Sequence, residues 1–152
     1  MILLILLLLG GNHASYRSPI QEVAVFEQDT RSEQLALALK GTLLEGQEQV
    51  FVEVADEYGF DFRLLPGIAF GESGLCDRFI PSTFNCFGWG SGKIAFESFE
   101  DAIRTIGYKL ETLSYYEAWR EDKSDLSALA EVYCPVRQEH WLNMINYFYN
   151  KL

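Results

Sequence analysis

From Arg31 onward, apolar residues recur at intervals of three and four, and nowhere do they alternate with polar residues over a useful length. This periodicity restricts the chain to a mainly α fold more tightly than any other feature. A first helix is expected over 31–44, with Leu35, Leu39 and Leu43 spaced by four, weakened by Gly41 and ended by Gly46. "QEQVFVEVADEYG" sets Val50, Phe51, Val54, Ala55 and Tyr58 on one stripe, with Gly59 as C-cap. Asp61 suits the N-cap of the next helix, Pro66 moves its regular start toward Leu64, and Gly74 ends it. Residues 75–97 carry Pro81 and several glycines and read as irregular loop. Ser98 and Asp101 form a capping-box-like start to a helix whose inner face is Phe99, Ile103, Ile106, Leu110 and Leu113. Ser124 is the expected cap of "DLSALAEVYC", which Pro135 stops. A last helix over 137–151 aligns Trp141, Ile145, Phe148 and Leu152.

One residue does not belong on its stripe. Leu65, Ile68, Ala69 and Glu72 stand at i, i+3, i+4 and i+7, so a carboxylate shares the apolar face. Burying a bare charge is costly, so Glu72 must be paired, protonated or facing a cleft. Desolvation raises a carboxyl pKa toward neutrality, as a general acid requires. The same position also suits a glutamate that accepts backbone hydrogen bonds and merely orders the following loop. That loop, "FNCFGWG", mixes aromatics with glycines that let backbone approach a ligand closely. Phe87, Gly88 and Trp89 beside a raised-pKa carboxyl suit sugar rings, whose CH-rich faces pack on aromatic side chains. Trp141 is either a further sugar contact or, given its apolar helix stripe, part of the core.

Charge and cysteine usage narrow the setting. The 152 residues fit one domain, and 22 acidic against 12 basic residues give a net charge of −10. Such a chain lacks the basic face that a nucleic-acid binder needs, so no nucleic-acid partner is expected. Residues 2–9 are all Leu or Ile, too short to span a bilayer but suited to a leader. The expected organisation is a signal-peptide-like or membrane-anchor segment at 1–15, a linker at 16–30 and a domain at 31–152, probing an extracytoplasmic setting as a monomer. Three cysteines allow three single pairings. The local pair Cys76–Cys86 is the expected one in an exported protein, leaving Cys134 over. His13 and His140 have no metal spacing, and neither metal nor cofactor is expected. Tyr115, Tyr116 and Trp119 suit an interface or surface cover.

The block "ADEYGFDFRLLPGIAFGESGLC", then "NCFGWG", "FESFEDAI" and "VYCP…W", resembles the lysozyme-like superfamily over residues 47–152. It is most similar to bacterial glucosaminidase and lytic-transglycosylase domains that act on peptidoglycan. In those families a helix ends in Glu-Ser and the glutamate is the catalytic acid, which Glu72-Ser73 matches. The resemblance implies that Asn85, Phe87 and Gly88 line the cleft and that Tyr133 shapes the surroundings of the acid. Departures accompany the match: Trp89-Gly90-Ser91-Gly92 stands where an aliphatic-Met-Gln run is usual, and Cys134 where Asn commonly follows the tyrosine. No clear second carboxylate emerges among Asp77, Glu97, Glu100 and Asp101. The expected function is cleavage of peptidoglycan strands by Glu72, as a lytic transglycosylase or with a water positioned by Asp77 or Glu97. An inactive glycan-binding or assembly module of the same fold is the alternative.

Overall fold

The computed structural model describes residues 28–152, so the leader or anchor expected at 1–15 and residues 16–27 of the linker lie outside the described residues. Among the described residues the chain is mainly α, with no strand. Its helices are α1 (Arg31–Leu39), α2 (Glu48–Tyr58), α3 (Leu64–Ser73), α4 (Phe99–Thr112), α5 (Glu117–Glu121), α6 (Leu126–Tyr133) and α7 (Gln138–Tyr149). None of the described helices is long and apolar enough to cross a membrane.

The first helix ends at Leu39 rather than Leu44, because Lys40 leaves helical geometry and Gly41 takes a φ of +76°. The chain turns there, with the Glu45 carboxylate accepting the Gly41 N–H at 2.8 Å. In consequence Leu44, not Leu43, enters the core, and Leu43 is left 56% exposed. The α2 helix follows its sequence pattern, and Gly59 closes it in the left-handed region at φ +67°.

At the start of α3 the expectation for Asp61 fails. Arg63 is the residue preceding the helix, and the Asp61 carboxylate instead accepts the Arg63 N–H at 2.9 Å and its guanidinium at 2.6 Å. Pro66 lies in the first turn, where its missing N–H has no helical partner to lose. Gly74 caps the other end, donating to the Phe70 carbonyl at 2.9 Å.

Ser98 caps α4 by accepting the Asp101 N–H at 3.0 Å, while the Asp101 carboxylate reaches back to the Glu97 N–H at 3.0 Å. Asp125, not Ser124, caps α6: its carboxylate accepts the Ser127 N–H at 2.9 Å, whereas Ser124 bonds Asp122.

The short segment between α4 and α6 corrects another expectation. It holds a 3₁₀ turn, Ser114–Tyr116, and α5, which carry Tyr116 and Trp119 into the core and leave Tyr115 exposed.

The centre of the molecule is α3 laid along α7. Gly67 permits the approach, since a Cβ there would stand 3.2 Å from Ile145 Cγ2 and 3.4 Å from the Tyr149 ring. Gly107 does the same for α4 on α2, where a Cβ would collide with the Val54 side chain. On the flanks, α1 covers α2, and α6 packs on both α5 and α7. Leu65, Ile68, Ile103, Ile106, Ile145 and Phe148 all lie within this core, each contributing roughly 1.5–3 kcal/mol by burial. The disulfide joins Cys76 to Cys86 across a Cα separation of 4.9 Å, and Cys134 is free. Closing that loop stabilises the fold by roughly 3 kcal/mol on the chain-entropy argument.

Candidate active site

Glu72 occupies the last turn of α3, one residue before Ser73 and two before the Gly74 cap. The helix that carries it is buried from Leu64 to Ala69, so its C-terminal turn is fixed by packing. Ser73 then ties that turn to the loop beyond. Its buried hydroxyl donates to the Cys86 carbonyl at 2.8 Å, lies 3.0 Å from the Ala69 carbonyl, and accepts the Cys76 N–H at 2.9 Å. The Cys76–Cys86 disulfide clamps the same two strands of backbone covalently.

The loop after Cys86 comes back against the acid. At Gly88 the backbone adopts φ +66°, and a Cβ there would run into the Glu72 carboxyl, 3.0 Å from Cδ and 3.2 Å from Cγ. Glycine is required twice over, for the left-handed conformation and for the close approach. Asn85 holds the loop in this shape: its amide nitrogen donates to the carbonyls of Trp89 (2.8 Å) and Ile94 (2.9 Å), and its oxygen accepts the Trp89 N–H at 3.1 Å. From the other side the Tyr133 hydroxyl donates to the Phe87 carbonyl at 2.6 Å.

Glu72 itself is half-buried, with its two oxygens in different surroundings. Oε1 accepts the Trp141 indole N–H at 2.9 Å, and Oε2 faces Gly88. The Trp141 ring stacks on Tyr133 at 5.4 Å between centroids, which links the acid, the loop and α6 through one pair of rings. Burial pushes the Glu72 carboxyl pKa up, while the Trp141 hydrogen bond and then the charge of Arg137 pull it part of the way back. The Tyr133 hydroxyl is held well above its usual range by burial, reinforced by the negative charge of Glu72. It is therefore a neutral donor.

Two cavities meet at this loop and share Gly88 and Ser91. One, about 530 Å³, is lined by Glu72, Ser73, Arg78, Phe79, Ile80, Asn85, Gly88, Ser91 and Gly92. The other, about 440 Å³, runs from Trp89 and Ile94 to Tyr115, Tyr116 and Tyr133. Neither is lined by a second carboxylate. Asp77 opens on a different cavity beside Thr42 and Pro81, and Glu97 lies at the start of α4 outside both. Among the described residues no cluster of His, Cys, Asp and Glu is arranged to hold a metal ion.

The sequence-derived residues thus divide. Glu72, Ser73, Asn85, Gly88 and Tyr133 come together, joined by Trp89 at the edge of the second cavity. Two others are corrected. Phe87 is fully buried and offers no ring face to a sugar, because its neighbours in the core cover it. Trp141 is 3% exposed and serves by its N–H to Glu72 instead of as a stacking platform. Asn85 is buried and its amide hydrogens are taken up by the loop, so its part is to shape the cavity wall. Arg78 and Arg137 had no signal of their own in the sequence, and Tyr116, expected at an interface or as surface cover, lines the second cavity. No family model, curated protein or solved structure matches this chain.

Proposed function

We propose that this protein cleaves the glycan strands of peptidoglycan on a lysozyme-like helical domain, with Glu72 as the single general acid and base. The observation that carries this reading is the state of Glu72: half-buried, raised in pKa, and opening on a cavity of about 530 Å³. A carboxyl that holds its proton above the ordinary glutamate range beside a groove is the first requirement for protonating a glycosidic oxygen. The division of its oxygens supports the same role. Trp141 occupies Oε1, which leaves Oε2 at Gly88 to give and take the proton.

The lack of a second carboxylate lining either cavity favours intramolecular capture over hydrolysis. Paired carboxylates lie roughly 5 Å apart in retaining glycosidases and 6.5–9.5 Å apart in inverting ones. Here Glu72 protonates the bridging oxygen as the bond to the anomeric carbon breaks. When that carbon belongs to a muramic acid unit, its own 6-hydroxyl oxygen attacks, and the Glu72 carboxylate accepts the hydroxyl proton. The acid is regenerated, no water is consumed, and the product ends in an anhydro sugar. The disulfide is compatible with the oxidising, extracytoplasmic setting where such strands occur.

Mass spectrometry of fragments released from purified peptidoglycan tests this. Anhydro-ended fragments from the wild type and none from Glu72→Gln are expected. Fragments heavier by one water would make the enzyme a hydrolase. Equal release by both proteins would remove Glu72 from the chemistry.

A further inference from the structure

The cations around the site are distributed unevenly. Among the described residues, four arginines away from Glu72 are engaged: Arg31 with Asp29 and Asp56, Arg63 with Asp61, Arg104 with Glu53 and Glu100, and Arg120 with backbone carbonyls. Among the described residues, the side chains of Arg78 and Arg137 find no acceptor. In a protein of net charge −10, carboxylates are the commonest surface partners, yet these two guanidiniums are left open.

Arg78 opens on the cavity of Glu72, and Arg137 lies one helical turn before Trp141, which holds the acid. Arg78 lines the acid's own cavity together with Phe79 and Ile80, its guanidinium resting by Gly74 at the carbonyl end of α3. That end of a helix favours a cation and holds it without neutralising it. Arg137 immediately precedes α7, and its carbonyl accepts the N–H of Trp141, the residue whose indole touches Glu72. Arg137 is close enough for its charge to act on the Glu72 carboxyl.

We propose that Arg78 and Arg137 form an anion-reading pair flanking Glu72, which recognises a carboxylate substituent on the glycan and makes the protein prefer carboxylated strands to neutral ones. The inference rests on the glycan-cleaving reading and adds to it which strands are taken. A planar guanidinium matches a carboxylate with two parallel N–H donors, and an unpaired one loses no internal partner on engaging it. An anion at this place also needs a counter-charge, since it sits near the ionised form of Glu72. On peptidoglycan the carboxylate comes from the lactyl ether of muramic acid or from the stem peptide, and both present the same chemistry.

The test measures binding to Glu72→Gln protein, in which strands stay intact and any effect of Arg137 on the acid is removed. The probes are soluble peptidoglycan strands, the same strands with every carboxylate converted to its methylamide, and strands stripped of peptide by an amidase so that only the lactyl carboxylate remains. Intact strands are expected to bind more tightly than amidated ones, by about fivefold for each arginine at low salt, with the ratio falling as salt rises. Arg78→Gln and Arg137→Gln, both at exposed positions, each reduce that ratio by about fivefold while circular dichroism stays unchanged. Stripped strands that keep the preference place the recognised group on the lactyl ether; stripped strands that lose it place the group on the peptide. Equal binding of intact and amidated strands, or a ratio that survives both substitutions, overturns the proposal, and wild-type cleavage of both strand types would then leave the glycan-cleaving reading standing. A preference for intact strands that both substitutions reduce, with no cleavage by the wild type, would do the reverse. Failure to bind any strand overturns both.

Discussion

Alanine at Gly88 and alanine at Gly92 separate backbone strain from contact with the acid. Both glycines sit in the left-handed region, at φ +66° and φ +74°, so a side chain at either costs roughly 1–2 kcal/mol in conformation. Around Gly92 nothing lies within 4 Å of an added Cβ, and that conformational cost is the whole expected effect. At Gly88 the added carbon would collide with Oε2 of the Glu72 carboxyl and stand only 3.0 Å from its Cδ. The glutamate must swing away, giving up the Trp141 hydrogen bond, which as a bond to a charged acceptor is worth about 1.5–3 kcal/mol. Part exposure of Glu72 puts the penalty at the lower end, so Gly88→Ala should destabilise by about 3 kcal/mol in total and Gly92→Ala by about 1–2 kcal/mol. Urea unfolding of the two variants at pH 7 measures the difference. Tryptophan-indole NMR adds a second readout, since the Trp141 N–H resonance should move in Gly88→Ala and stay in Gly92→Ala. Equal destabilisation, with the Trp141 signal unmoved in both, would refute the packing of Gly88 against the acid.

Three further outcomes follow from the same contacts. Trp141→Phe removes a donor that favours the charged carboxyl, so the Glu72 pKa should rise further and the alkaline limb of strand cleavage should move up with it; a limb that stays put or moves down contradicts this. Tyr133→Phe leaves the Phe87 carbonyl without its hydroxyl partner and should cost about 1–2 kcal/mol in thermal or urea unfolding, with a drop in cleavage because Gly88 loosens; unchanged stability would show the bond to be unimportant. Glu72→Gln should melt above the wild type at pH 7. A raised folded-state pKa means the fold binds the proton more tightly than the unfolded chain, so wild-type stability falls as pH rises from the ordinary glutamate value through the raised one. The melting difference should close as pH drops below the ordinary glutamate range, and a gap that widens there would reverse the sign.

The sequence carried the long elements well because their periodicity is strong. The stripe of α2, the left-handed caps at Gly59 and Gly74 and the Ser98 cap of α4 all stand as their residues indicate. Short elements were less legible. The five residues of α5 span too little more than one turn to show a period, and so Trp119 read as surface although it is fully buried. At α6, Ser124 and Asp125 are both acceptable caps, and only the geometry of Ser127 N–H decides for the aspartate. Glu72 was visible because a carboxylate on an apolar stripe is a local anomaly. Its partner was not, since Trp141 lies 69 residues away and its indole reads equally well as core. The arginines were hidden for the same reason: being unpaired is a property of the folded surface.

The most direct measurement is the carboxyl-carbon titration of Glu72 by NMR, taken beside the pH profile of strand release by the wild type. The expected midpoint lies above the ordinary glutamate range, with release falling through the same pH interval as the proton is lost. A midpoint at or below that range, or release that continues undiminished after Glu72 has ionised, would contradict the assignment of this carboxyl as the proton donor.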